Sequence, residues 1–223
     1  MSEVRAVLLD ALGTLVELQP PAPRLQRLLR ESGFDVSEEQ AATGFAAEIA
    51  YYLDHHLDGS DPERLERLRD RCADEMRRAL GIPTLAHATA RRAMLGALEF
   101  SPYPDVVPAL RELRERGLTL VVASNWDCSL PEWLRPAGIL ELVDGVVTSA
   151  EVGAAKPSPR VFQRALAVAG VDPARALHVG DKLDNDIEGA AAAGVRGVLL
   201  QRDGSPPPGI EAISSLSELV ALL

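Results

Sequence analysis

Several short apolar segments of the chain lead into residues that could do chemistry. Asp10 ends the first segment, and Ser124-Asn125 follows the second. Gly180-Asp181 follows the fourth segment, and Lys156 lies in the loop and helix start after the third. In an open parallel sheet, ligands bind at the carboxyl ends of the strands. The sequence therefore predicts one crevice that contains a carboxylate nucleophile, a hydroxyl, an amide, an ammonium and further carboxylates.

The chain uses lysine and asparagine sparingly. Of its 23 basic residues only Lys156 and Lys182 are lysines, and Asn125 and Asn185 are its only asparagines. A compact ammonium can do things that the planar guanidinium of arginine cannot. All four residues fall in the motifs described below, which favours a chemical role for them; chance in a small sample is the alternative.

The apolar segments predict a doubly wound α/β fold, because Val- and Leu-rich runs alternate with helical patterns. Helices are expected over residues 130–134, 158–169 and 187–193, with Ser158 as an N-cap and Pro159 at the first helical position. Asp105 is expected to cap a further helix that runs to residue 116. The predicted buried parallel strands are residues 4–9, 118–123, 145–148, 176–179 and 197–200.

The first two strands are separated by far more chain than one crossover helix needs. We therefore expect a core domain of residues 1–17 and 101–223 and a helical cap subdomain of residues 18–100. The segment 62–80 places apolar residues at spacings of three and four, which predicts one buried helix face. The expected helices of this subdomain are residues 24–31, 38–57, 62–80, with Asp61 as N-cap, and 88–98.

Composition excludes several classes of function. A length of 223 residues with 47% hydrophobic content predicts a packed globular protein. A net charge of -10, with no stripe of Lys and Arg, argues against a nucleic-acid partner. No apolar run approaches the roughly 18 residues of a membrane span, and charges interrupt the first apolar stretch, so neither a signal peptide nor a membrane anchor is expected. Cys72 and Cys128 share no metal-binding spacing and favour a reduced cytoplasm.

Four motifs of the chain are Leu9-Asp10-Ala11-Leu12-Gly13-Thr14-Leu15, Ala123-Ser124-Asn125, Lys156-Pro157, and Gly180 through Asp186 followed by Ile187-Glu188-Gly189-Ala190. Together they resemble the haloacid dehalogenase-like (HAD) hydrolase superfamily. They occur in the order of that family, with a helical insertion after the first, and cover essentially the whole chain. The stretch Ser124-Asn125-Trp126-Asp127 also resembles an uncharacterised subgroup of the family.

The resemblance implies hydrolysis of a small phosphorylated molecule. Asp10 would attack phosphorus and form an aspartyl phosphate. A Mg²⁺ ion would lie between Asp10, the backbone carbonyl of Leu12 and Asp181, with Asp186 close by or acting through water. The cap would select the substrate by closing over the crevice.

The second and third motifs imply roles around the phosphoryl group. Ser124, with the backbone amide of Asn125, would hold a phosphoryl oxygen, and Lys156 would keep Asp10 ionised. Plainer interpretations remain open for several of these residues. Asp10 could be a turn residue, Lys156 a solvated surface lysine, and Ser124 and Asp186 simple helix caps. His178, within a predicted strand, is interpreted as a hydrogen-bonded core residue.

Leu12 departs from the phosphatase pattern, which has an acid/base Asp at this position. Loss of such a group slows a reaction by about 10² to 10⁴, so we expect slow turnover, a need for good leaving groups, or an acid from elsewhere, such as Asp127.

A metal-independent 2-haloacid dehalogenase is an alternative, because a halide leaves without a proton. Asp181 and Asp186 argue against it, since they would repel a haloacid carboxylate, and the first Arg after the motif is Arg24. A catalytically weak protein that binds phosphate or metal is a third hypothesis.

Overall fold

The structure, a computed structural model, describes residues 3–223, and the chain divides into two compact units. The first, which we call the core unit, consists of the segment that ends at Glu17 together with Pro102–Leu223. The second, the helical unit, is Leu18–Ser101. Residues 1 and 2 of the expected core segment lie outside the described residues.

Amphipathic helices build the helical unit around a shared apolar core. The helix predicted over residues 62–80 begins where Asp61 accepts a hydrogen bond from the N–H of Arg64, and ends at Gly81, whose φ of 66° is left-handed. The first helix begins at Pro21 rather than at residue 24, because proline is tolerated in the first turn of a helix. The helices are α1 (Pro21–Glu31), α2 (Glu38–His55), α3 (Pro62–Leu80) and α4 (His87–Ala97), with a 3₁₀ turn at His56–Asp58.

The strands of the chain are short and mostly apolar. Each of the five predicted strands is present, with small shifts at its ends. Among residues 3–223 the structure contains three others, which were not predicted, because two or three residues are too few to show a periodic pattern. The strands are β1 (Ala6–Leu9), β2 (Val16–Leu18), β3 (Phe100–Pro102), β4 (Thr119–Ser124), β5 (Gly145–Thr148), β6 (Ala176–Gly180), β7 (Arg196–Leu200) and β8 (Ala212–Ile213).

A parallel sheet forms the centre of the core unit, with the strand order β5-β4-β1-β6-β7-β8. Every neighbouring pair in this sheet is parallel. β1 and β6 are fully buried along their length, as expected for parallel strands covered by helices on both faces. β2 and β3 pair with each other in a separate two-stranded sheet. The predicted doubly wound α/β class is confirmed.

Helices flank this sheet. The predicted helix that starts at Ser158 is confirmed: the Ser158 hydroxyl accepts a hydrogen bond from the N–H of Arg160, and the helix ends at Gly170. No helix among residues 3–223 is long and apolar enough to cross a membrane. The helices of the core unit are α5 (Val106–Glu115), α6 (Leu130–Leu134), α7 (Ser149–Val152), α8 (Pro159–Ala169), α9 (Gly189–Ala192) and α10 (Leu216–Leu222).

Two local predictions in the core unit are wrong. The first two residues of the helix expected over residues 187–193 belong to a π-helical turn, Leu183–Glu188, and only Gly189–Ala192 is α-helical. Asp105 precedes α5 but its side chain does not cap that helix. Its carboxylate instead accepts hydrogen bonds from the N–H of Leu216 and the hydroxyl of Ser215, both at the start of α10.

A buried carboxyl group lies in the helical unit, outside the motifs. Glu48 on α2 is 6% exposed. Burial raises the pKa of Glu48 to about 7, against a smaller lowering by a hydrogen bond with the Cys72 thiol. The folded chain therefore binds this proton more tightly than the unfolded chain, in which the pKa is 4.5. The resulting stabilisation is complete below pH 4.5 and is lost as the pH rises to about 7.

Glu48→Gln is expected to remove this pH dependence. Between about pH 4.5 and about pH 7.5 the native chain should lose about 3 kcal/mol of unfolding free energy relative to the variant, since one pKa unit corresponds to about 1.4 kcal/mol. Urea unfolding followed by circular dichroism at both pH values measures the difference. Glu39→Gln, at an exposed position of the same helix, is the control. Parallel pH profiles of the native chain and Glu48→Gln would contradict the assignment.

Candidate active site

Asp10 follows β1, the strand between β4 and β6, and its side chain is almost fully buried. Its N–H donates to the carbonyl of Val179, at a distance of 2.9 Å. Its Oδ1 accepts hydrogen bonds from Ser124 Oγ at 2.9 Å and from Lys156 Nζ at 2.6 Å. Among the residues that the structure describes, these are the side-chain hydrogen bonds of Asp10. One carboxylate oxygen is thus held in place, and Oδ2 is left to attack a substrate or bind a cation.

The Lys156 ammonium lies between two buried carboxylates. Its Nζ is 2.6 Å from Asp10 Oδ1 and 2.6 Å from Asp186 Oδ1. The residue is only 4% exposed, which excludes a solvated surface lysine. Burial alone would lower the pKa of Lys156, but the charges of Asp10 and Asp186 outweigh it and raise that pKa. The lysine is therefore a fixed positive charge beside Asp10.

Asn125 holds the main chain of Lys156. Its Nδ2 donates to the carbonyl of Lys156 at 3.0 Å, and its Oδ1 accepts from the N–H of Lys156 at 2.7 Å. This pair of hydrogen bonds ties the loop that carries Lys156 to the end of β4. The role toward a phosphoryl oxygen predicted for the backbone amide of Asn125 stays a prediction.

Three carboxylates lie close enough to share one cation. Oxygen atoms of Asp10, Asp181 and Asp186 all lie within 4.8 Å of one another. Asp181 is partly exposed and pairs with Lys182, whose side chain is 64% exposed. Asp186 is buried and does more than cap a turn, since Lys156 also donates to its Oδ1 and the N–H of Lys182 to its Oδ2.

His178 is a member of this network that the sequence did not associate with the site. It is buried in β6, and its Nε2 lies 3.0 Å from Asp186 Oδ1. An ionised carboxylate only accepts hydrogen bonds, so Nε2 must carry a proton. Gly180 lies two residues further along the strand, and a Cβ there would come within 2.1 Å of Asp186 Cγ. Residues two apart share a face of a strand, so His178 and Gly180 both lie toward Asp186. The spacing of His178 from the Gly180-Asp181 motif was the signal in the sequence that could have associated His178 with the site.

Burial and charge give the site carboxylates different proton affinities. Burial raises the pKa of Asp10 to about 6, against the opposing charge of Lys156. Burial alone would also raise the pKa of Asp186, but the hydrogen bond from His178 and the charge of Lys156 hold it well below its usual range. Burial lowers the pKa of His178. The network at neutral pH is therefore two carboxylates, one ammonium and a neutral imidazole.

The loop after Asp10 runs close against Asp181. Gly13 has a φ of 85°, a conformation that favours glycine, and a Cβ there would lie 2.5 Å from Asp181 Oδ2. Its neighbour Leu12 is 43% exposed. The role predicted for the Leu12 carbonyl stays a prediction. Gly13 allows the loop and the Asp181 carboxylate to approach each other.

Asp127, a candidate for the missing acid, is only 4% exposed. Its Oδ1 accepts a hydrogen bond of 2.7 Å from the N–H of Ser129, so the side chain closes its own turn. This contact gives Asp127 a structural role, and its service as an acid stays a prediction.

A family model described as haloacid dehalogenase-like hydrolase matches residues 4–194 of the chain. The chain belongs to this family. A glyceraldehyde 3-phosphate phosphatase of Methanopyrus kandleri is 33% identical to this hydrolase over 207 residues, which cover 89% of the chain and 84% of the relative. The resemblance predicted from the four motifs is confirmed, and phosphatases occur among the relatives.

Solved structures similar to this hydrolase include both reaction classes. A HAD phosphatase of Thermococcus onnurineus is 25% identical, with a TM-score of 0.67 and coverage of 98% of this chain and 97% of that chain. An L-2-haloacid dehalogenase is 28% identical, with a TM-score of 0.67 and coverage of 99% of each chain. The fold thus accommodates either chemistry, and the site residues must decide between them.

Lys156→Met is expected to destabilise the hydrolase by about 3 to 5 kcal/mol at neutral pH, because it leaves two buried carboxylates without their shared cation. The free energy of unfolding in urea measures the loss. Lys182→Met removes the chain's other lysine, which is exposed and pairs with Asp181. This control should lose at most about 1 kcal/mol. Equal losses in the two variants would show that the buried ammonium has no special role.

Proposed function

We propose that this hydrolase is a Mg²⁺-dependent phosphatase that acts on small phosphomonoesters through an aspartyl phosphate at Asp10. The observation that carries the proposal is the environment of Asp10. Its Oδ1 is held by Ser124 and Lys156, while its Oδ2 stays open next to two further carboxylates. A carboxylate nucleophile needs this combination of fixed orientation and an accessible oxygen.

The oxygen atoms of the site fit a hard divalent cation. Asp10, Asp181 and the carbonyl of Leu12 would hold Mg²⁺. Asp186 already uses Oδ1 for Lys156 and His178 and Oδ2 for the N–H of Lys182, so it has less capacity left for a direct metal bond. These contacts support the expectation that Asp186 acts through water. The bound ion would neutralise charge on the phosphoryl oxygens.

The proposed reaction has two steps, formation of the aspartyl phosphate and its hydrolysis. In the first, Asp10 Oδ2 attacks phosphorus, the bond from phosphorus to the leaving oxygen breaks, and the leaving group departs with its electron pair. Lys156 keeps Asp10 ionised and offsets the negative charge of the phosphoryl group. Ser124 and the backbone amide of Asn125 would hold phosphoryl oxygens. In the second step water attacks phosphorus, which releases phosphate and restores the Asp10 carboxylate.

The side chain of Leu12 limits both steps. It cannot give a proton to the leaving oxygen or take one from the attacking water. Activated esters, whose leaving groups need no proton, should therefore react faster than alkyl phosphates. The second step, which needs a base for every substrate, should limit turnover.

Leu12→Asp is expected to raise steady-state turnover of p-nitrophenyl phosphate by about 10²-fold or more, because it supplies an acid/base group. The native enzyme should release a burst of p-nitrophenolate equal to the enzyme concentration, followed by slow turnover, and the variant should lose that burst. Leu12→Asn, which has a similar shape but cannot ionise, is the control. Steady turnover of the native enzyme without a burst would contradict a slow second step.

A dehalogenase is the second candidate, favoured by the apolar Leu12 and by the similarity to an L-2-haloacid dehalogenase. In that reaction Asp10 would attack carbon and displace a halide without metal. Asp181 and Asp186 weigh against it. The carboxylates of Asp181 and Asp186 would repel the carboxylate of a 2-haloacid. A bound cation, in contrast, would offset the charges of the three neighbouring carboxylates.

Chelation separates the two candidates. EDTA should abolish hydrolysis of p-nitrophenyl phosphate and added Mg²⁺ should restore it, while 2-chloropropionate should release no chloride under either condition. Asp10→Asn should abolish phosphatase activity and serves as the background control. Chelator-resistant chloride release would transfer the assignment to the dehalogenase. Binding of Mg²⁺ or phosphate without turnover of either substrate would indicate a binding protein.

A further inference from the structure

Outside the carboxylate cluster, the core unit contains a second set of polar contacts, which we call the Arg202 cluster: Arg202, Asp105, Tyr103 and the carbonyl of Thr14. Arg202 Nη1 lies 3.0 Å from Asp105 Oδ1 and 3.2 Å from its Oδ2. The guanidinium carbon lies 3.8 Å from the centre of the Tyr103 ring. Both charged side chains are largely buried, with exposures of 18% and 14%.

One hydrogen bond of Arg202 reaches the loop that follows Asp10. Arg202 Nη2 donates to the carbonyl of Thr14 at 2.8 Å. The loop of residues 11–16 otherwise folds on itself. The N–H groups of Thr14, Leu15 and Val16 point to the carbonyl of Ala11, and that of Gly13 to the carbonyl of Val16.

A second tie to the loop comes from the same cluster. The N–H of Tyr103 donates to the carbonyl of Leu15, at 3.3 Å. Arg202 and Tyr103 therefore hold two successive carbonyls of the loop. Asp105 is itself fixed by Ser215 and by the N–H of Leu216, so the cluster joins the nucleophile loop to the start of α10.

Arginine suits this position for a geometric reason. Its planar guanidinium can pair with a carboxylate, donate to a carbonyl and stack on an aromatic ring at the same time. A lysine could keep the ion pair with Asp105 but not all three contacts. The position of the loop also matters to the site, because the loop runs close against Asp181: a Cβ at Gly13 would lie 2.5 Å from Asp181 Oδ2.

From these contacts we infer that Arg202 is a positioning residue of the hydrolase, which holds the loop of residues 11–16 so that Asp10 and Asp181 keep their mutual geometry. Arg202 contacts neither carboxylate and acts through the Thr14 carbonyl. The kinetic part of this inference rests on the proposed phosphatase function. The structural part, anchoring of the loop, does not.

Amide hydrogen exchange tests the anchoring directly. In Arg202→Met the amides of residues 13–16 should exchange about tenfold faster than in the native chain, because loss of the tie lowers the free energy of local opening. Arg202→Lys, which keeps the pairing with Asp105, provides a second variant should the first not fold. Amides of β4 should be unchanged in both. Native exchange rates in the loop would overturn the inference, whatever reaction the enzyme catalyses.

Kinetics with p-nitrophenyl phosphate and Mg²⁺ test the consequence for catalysis. The value of kcat should fall about 10²-fold in Arg202→Ala with KM changed less than about threefold, as expected for misplaced catalytic groups. Added guanidinium at low, non-denaturing concentration should restore part of the lost kcat.

Arg196→Met is the matched control, since Arg196 lies on β7 and pairs with Glu211. It should leave kcat and loop exchange unchanged. An equal loss of kcat in the control, or absence of guanidinium rescue, would overturn the positioning role. A native enzyme that hydrolyses no phosphate ester would refute the proposed function instead, and the exchange rates would then decide the inference alone.

Discussion

The site depends on one buried ammonium held between two carboxylates. Lys156 Nζ lies 2.6 Å from both Asp10 and Asp186, and all three side chains are almost completely removed from water. Two buried carboxylates cannot both stay ionised at such a place without a cation, because the energy of a charge in a protein interior is high. The hydrogen bonds from Asn125 hold the main chain of Lys156, and the hydrogen bond from His178 holds the Asp186 carboxylate. Both contacts therefore keep the ammonium and its partner in place.

Much of the fold and of the candidate site could be predicted from the sequence, for a physical reason. Buried parallel strands are continuous apolar runs, and their carboxyl ends lie at one edge of the sheet. Asp10, Ser124 and Lys156 were expected to meet there, and the structure brings them within hydrogen-bonding distance. The scarcity of lysine was also informative, since the lysine placed between two carboxylates is one of only two in the chain.

What the sequence did not reveal depends on contacts between distant parts of the chain. His178 looked like an ordinary core residue, because its partner Asp186 comes from a π turn that no local pattern predicts. Asp105 looked like a helix cap, yet its carboxylate binds Arg202 and the start of α10. The role of each such side chain is determined by which partner the fold supplies, and residue type alone does not specify that partner.

The central position of β1 has a consequence for how the chain is made. This strand is synthesised before the other strands of its sheet, but its neighbours β4 and β6 end only at Ser124 and Gly180. During translation both edges of this apolar strand therefore stay unpaired until Leu18–Ser101 and then β4 have been synthesised. Such edges invite pairing with other chains. Early folding of the helical unit, whose contacts span less of the chain than those of the sheet, would bury its own apolar surface during this interval.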